Sequence, residues 1–153
     1  MRLIDFPLMH DAGLLSPVEA KCINQFELCF GLKLPDELRE FYLEASGTED
    51  FTELSWRVLP FEELEALHRR VKSAVDYSLY DGQEPILFGD YVPFMDCLIE
   101  LPLYAVCCNP RSDEFKRVIS ITFDGGVSVY GPHGKFPGFL STLMKHWEDG
   151  MLP

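Results

Sequence analysis

The sequence predicts an α+β domain, an antiparallel sheet of about five or six strands with helices packed at one face and at the ends. Three observations predict it. Helical periodicity dominates up to about Lys72, period-two alternation and short apolar runs take over beyond Asp76, and a helical pattern closes the chain. Strands grouped in the middle, with most helices before them, point to an antiparallel sheet rather than to alternating parallel units. The 153 residues, 47% hydrophobic and 13% aromatic, can bury one substantial core, and the composition is that of a globular chain.

The elements follow in order. Residues 1–15 read as an irregular lead-in and residues 16–150 as a single domain. Ser16-Pro17-Val18-Glu19 resembles a helix start, with Ser16 as cap, Pro17 at the first helical position and Glu19 closing a capping box. Val18, Cys22, Ile23, Phe26 and Phe30 then recur as a buried stripe, and Gly31 ends the helix. Leu34-Pro35-Asp36-Glu37 opens a second helix with Leu38, Phe41, Tyr42 and Ala45 on its apolar face and Gly47 as its stop. Residues 55–59 alternate as a short strand. A third helix follows Pro60, with Phe61, Leu64, Leu67, His68 and Val71 inward, acids near its start and bases near its end, as the helix dipole favours. Residues 85–89 and 103–108 read as strands. Arg117 to Phe123 and Val127 to Tyr130 form a hairpin about Asp124-Gly125-Gly126, with Ile119, Ile121 and Phe123 facing one way and Ser120 and Thr122 the other. A last helix runs from about Pro137 to Glu148, burying Phe139, Leu140, Leu143, Met144 and Trp147.

Motifs that carry chemistry are scarce. Asp124-Gly125-Gly126 lacks the Lys-Ser/Thr of a phosphate loop, and no Gly-x-Ser-x-Gly elbow occurs. His10, His68, His133 and His146 stand at no metal-ligand spacing from a Cys or another His. Adjacent Cys107 and Cys108 point to opposite faces of a strand. Cys22 and Cys29 fall among core positions, where a thiol acts as a small inert hydrophobe. The expectation is no catalytic residue, no metal and no cofactor.

The charge is the extreme feature. Twenty-five acids against 13 bases give −12, which repels nucleic acid and anionic membrane and favours a basic protein partner. No apolar run reaches the length of a membrane span, and Asp5 and Pro7 interrupt the N-terminal apolar run, so a cytoplasmic location is expected. Between Ser73 and Pro110 stand Asp76, Asp81, Glu84, Asp90, Asp96 and Glu100 and no base. Tyr77, Tyr80, Phe88, Tyr91 and Phe94 lie among these acids. Such aromatics suit either the anchors of a protein-binding rim or the volume of a core. On the first reading the contact residues are the loop acids Glu49, Asp50, Glu53, Asp81, Asp90 and Asp96, with Tyr80 and Tyr91 as anchors.

Several of these segments resemble the SMI1/KNR4 family of the SUKH superfamily. The resemblance rests on Phe30-Gly31-Leu32-Lys33-Leu34-Pro35-Asp36-Glu37-Leu38-Arg39-Glu40-Phe41-Tyr42 with Ser46-Gly47. Trp56 to Leu59 followed by Phe61 to Leu67, Ile86-Leu87-Phe88-Gly89-Asp90-Tyr91, and Phe136-Pro137-Gly138-Phe139-Leu140 extend it over roughly residues 16–148. Ser46 replaces the usual Asn, and Lys135 stands where Ser or Asp usually precedes the last helix. The resemblance implies a binding module without cofactor or catalytic set. Its bacterial branch implies an immunity protein that neutralises a toxin, often a nuclease, by binding it. Its fungal branch implies a regulatory adaptor in cell-wall synthesis or signalling. An unrecognised hydrolase is the third reading.

Overall fold

The structure, a computed structural model, describes residues 2–52, 56–73, 77–78, 86–97, 103–123 and 127–148. Among the described residues, five α-helices, α1 (Pro7–Asp11), α2 (Ala20–Phe30), α3 (Asp36–Glu44), α4 (Leu64–Lys72) and α5 (Phe136–Glu148), accompany six strands. These are β1 (Trp56–Val58), β2 (Tyr77–Ser78), β3 (Tyr91–Cys97), β4 (Leu103–Cys107), β5 (Val118–Thr122) and β6 (Val127–Tyr130). The sheet order is β1-β3-β4-β5-β6-β2. The first five strands in that order pair antiparallel, and the two-residue β2 joins β6 in parallel at the edge. The fold is α+β, as the grouping of periodicities predicts.

The sheet buries both faces. Val92, Phe94, Tyr104, Val106 and Val118 face the main core with residues of α2, α3, α5 and the start of α4. Ala105, Cys107, Ile119, Ile121 and Val129 face a smaller cluster closed by Val71, Phe88 and Tyr91. Cys107 and Cys108 therefore enter different clusters, as their adjacency requires. The hairpin strands alternate as expected, although its turn at 124–126 lies outside the described residues, as does the side chain of Trp147.

Several local expectations fail for identifiable reasons. The N-terminal segment is not an irregular lead-in: a 3-10 turn (Leu3–Asp5) and α1 place Leu3, Ile4, Phe6 and Met9 in the main core, and Phe6 stacks on Trp56 with centroids 5.8 Å apart. Helix α2 begins at Ala20, and Ser16 caps nothing. Instead, residues 15–18 run extended along the end of α3: Leu15 N–H donates to Gly47 O, Ser46 N–H to Ser16 O and Val18 N–H to Tyr42 O, at 2.9–3.0 Å. Tertiary pairing outcompetes the capping signal, and Pro17 biases Ser16 toward the extended form. Gly47 does not stop α3, which ends at Glu44. It has φ 135°, and a Cβ there would lie 2.8 Å from Pro60 Cα, so glycine is required by close backbone approach.

Residues 86–87 form no strand, and Phe88–Asp90 is a 3-10 turn. The strand comes next, as β3, whose sequence signal is weakened by Pro93. A bulge between Pro93 and Met95 lets Phe94 and Met95, neighbours in sequence, both enter the main core.

Candidate protein-binding surface

Helix α2 is held by its C-terminal end. Gly31 caps it in the left-handed conformation, with φ 65°. The Glu27 carboxylate accepts from Leu34 N–H at 2.9 Å and pairs with Arg39 Nε at 3.4 Å, tying the helix to the start of α3. Lys33 N–H donates to Cys108 O at 2.7 Å, tying the same turn to the sheet. An aromatic chain continues the support. Tyr42, Phe61, Phe26, Phe30 and the His68 ring meet in succession at centroid distances of 5.3, 5.8, 5.1 and 4.9 Å.

Only part of the expected α2 stripe is buried. Ile23 and Phe26 are inside, Phe30 and Val18 are partly buried against the core, and Cys22 and Cys29 are exposed. The thiols thus stay outside the core, and Leu28, elsewhere around the same helix, is 85% exposed. A groove of about 340 Å³ opens between α2 and the 3-10 turn Phe61–Glu63 that leads into α4. Phe26, Phe30 and Phe61 form its floor, Cys22, Gln25 and Cys29 one wall, and Glu62 and Glu65 the other. Glu65 Oε1 accepts from Arg69 at 2.9 Å, and the Arg69 guanidinium lies 5.0 Å from the Phe30 ring centroid. A second depression of similar volume lies beyond Phe30, with Gly31, Asp90, Asn109 and Arg111 in its lining.

The described acids among those singled out from sequence, Glu49, Asp50, Asp90 and Asp96, do not form one cluster. Glu49 and Asp50 are exposed on the loop after α3, where Glu49 N–H donates to Gly13 O and Asp50 N–H to Ala12 O. Asp96 is spent on Arg57, across the β1–β3 register, at 2.9 Å. That bond chiefly, with Asp50 and Glu63 adding charge nearby, raises the Arg57 pKa, while the guanidinium also covers the Phe51 ring. Asp90 lies beyond the opposite end of β3, about 20 Å away at strand rise, and accepts from Asn109 Nδ2 at 3.2 Å. Tyr91 is a correction: it is 3% exposed and closes the smaller cluster, so its ring is not available as an anchor, and burial raises its pKa. Its residue begins β3, where burial on both faces draws aromatic volume inward. Glu53, Tyr80 and Asp81 lie outside the described residues.

Sequence reasoning missed the groove because it assigned Cys22, Cys29 and Phe30 to the interior. A signal was present. The apolar positions 22, 23, 26, 28, 29 and 30 cover more of the helix than one core-facing stripe needs.

Two further arrangements bear on chemistry. Ser120 Oγ lies 2.9 Å from His133 Nε2, although the histidine as a whole is exposed. The pair sits against Tyr104 and Phe139, joining the 131–135 loop to the sheet. His68 is buried, and its Nδ1 must carry the proton it donates to Tyr91 O at 2.8 Å, because a carbonyl only accepts. Among the described residues no group of three or more His, Cys, Asp or Glu could hold a metal ion, and no helix is long and apolar enough to cross a membrane.

No curated protein sequence matches the chain. The model of the SMI1 / KNR4 family (SUKH-1) matches residues 17–135, from the segment before α2 to the last residue before α5. With most of its length matched and the α+β fold described above, the chain belongs to the SMI1/KNR4 family (SUKH-1).

Proposed function

We propose that the protein is a non-catalytic, cytoplasmic binding domain that acts as an immunity protein, neutralising a basic toxin by covering its working surface. The observation that carries the reading is membership of a family whose SUKH members are immunity proteins. The charge of −12 supports it, since a nuclease surface built for phosphates attracts an acidic protein. The exposed acids Glu49 and Asp50 and the glutamate-walled groove are surfaces on which such charge can act.

The test is co-expression with a toxin encoded beside the gene. Growth is rescued in a dose-dependent way, and the two proteins copurify as a complex. If cells die equally fast with and without this chain, the immunity reading fails.

A further inference from the structure

We propose that the α2–α4 groove seats one apolar side chain of a basic partner segment, with Glu62 and Glu65 facing lysines or arginines that flank it. The proposal rests on the protein-binding reading and gives it a location and a ligand chemistry.

The groove has two properties that point to this occupant. Its floor is apolar, Phe26, Phe30 and Phe61, and its α2 wall, Cys22, Gln25 and Cys29, carries no charge. An aromatic-floored depression gains free energy when an apolar side chain displaces water from it. Its other wall is acidic, with Glu62 and Glu65 both exposed. Glu65 is partly neutralised by Arg69, but the chain as a whole carries −12. A neutral apolar peptide would leave those carboxylates unanswered. A second copy of this chain would set acidic walls and two charges of −12 against each other. A segment that joins an apolar anchor to flanking cations satisfies both walls.

The groove also contains its own reporters. Cys22 and Cys29 are exposed on the wall, whereas Cys107 and Cys108 are buried. Seven residues apart on a helix, the two wall thiols are about 10 Å apart along its axis, too far for a disulfide between them. Their alkylation therefore measures access to the groove.

The experiment titrates the full-length protein with fluorescein-labelled peptides of one length: a leucine flanked by lysines, the same peptide with leucine replaced by asparagine, and the same peptide with lysines replaced by glutamates. Anisotropy reads affinity, and mass spectrometry reads iodoacetamide uptake at each cysteine. The lysine–leucine peptide is expected to bind and to slow alkylation of Cys22 and Cys29 by about tenfold at saturation, and each altered peptide to lose about tenfold in affinity. Gln25→Arg and Glu62→Lys, both at exposed positions, should weaken it similarly, and Asp50→Asn, on a different surface, should not.

Equal binding of the asparagine peptide, or binding that leaves both thiols as reactive as before, overturns the proposal. So does protection of the thiols by protein concentration alone, which marks the groove as a contact between copies. A protein that rescues cells from its toxin while Cys22 and Cys29 stay reactive in the complex keeps the immunity reading and loses this one. A protein that binds the peptide in the groove yet rescues no cells does the reverse.

Discussion

At the scale of single residues, the fold depends on a few positions whose role is geometric. Gly47 is the sharpest, because its missing side chain lets the loop after α3 pack against the Leu59–Pro60 backbone. Gly47→Ala should cost about 2–3 kcal/mol, read as a lower urea midpoint with an unchanged slope. Glu27 is a second such position. Glu27→Ala removes the acceptor for Leu34 N–H and the partner of Arg39, and should cost about 1–3 kcal/mol. Histidine titration supplies a pH dependence. Burial lowers the pKa of His68 below the usual 6.5, so the unfolded chain binds more protons just below that value. Its contribution to stability is complete above about pH 6.5 and is lost as the pH falls toward the lowered folded-state value. Urea midpoints measured between about pH 7.5 and pH 5.5 should fall with acidification, and less steeply in His68→Gln. Residue types alone said little about which side chains stay outside. Cysteine is among the most often buried residues, and that tendency concealed Cys22 and Cys29. Tyr91 erred in the other direction, since an aromatic beside acids reads equally as anchor or as core.

At the scale of elements, sequence patterns located α3, α5 and the β5–β6 hairpin to within a residue or two, because each has a periodicity that local packing keeps, while α4 starts three residues later than Phe61, after a 3-10 turn. They failed where tertiary contacts override local preference. The start of α2 gives way to pairing with α3, and β3 hides behind Pro93 and its bulge. The α2 helix offers the clearest test of the inward and outward assignment. Ile23→Ala should cost about 2–4 kcal/mol. Leu28→Ala should lie within about 0.5 kcal/mol of the parent, since it removes apolar surface that water already reaches. Thermal or urea unfolding of the two variants decides it, and a large loss for Leu28→Ala would mean that the helix face is turned differently.

At the scale of the molecule, fold class and family were legible from the grouping of periodicities and from the segment Phe30 to Tyr42, while the binding surface was not. A surface is assembled from elements distant in the chain, and here the groove joins α2 to the approach to α4 whereas Asp90 and Asp96, two of the predicted acids, stand at opposite ends of β3. The net charge has a consequence of its own. Self-repulsion at −12 should be relieved by salt, so the thermal midpoint should rise by ~2–5 °C between low and moderate sodium chloride, in the opposite direction to the affinity for a basic partner. Finally, the stretch by which kinship is recognised is shorter than the stretch that must fold together. Residues 17–135 carry the match, yet Leu3, Phe6 and Met9 on one side and Phe136, Phe139 and Leu143 on the other complete the interior. Trimming the gene to the homologous region would leave Trp56 and Phe94 facing water where Phe6 and Phe136 had been, so the limits of ancestry are the wrong places to cut.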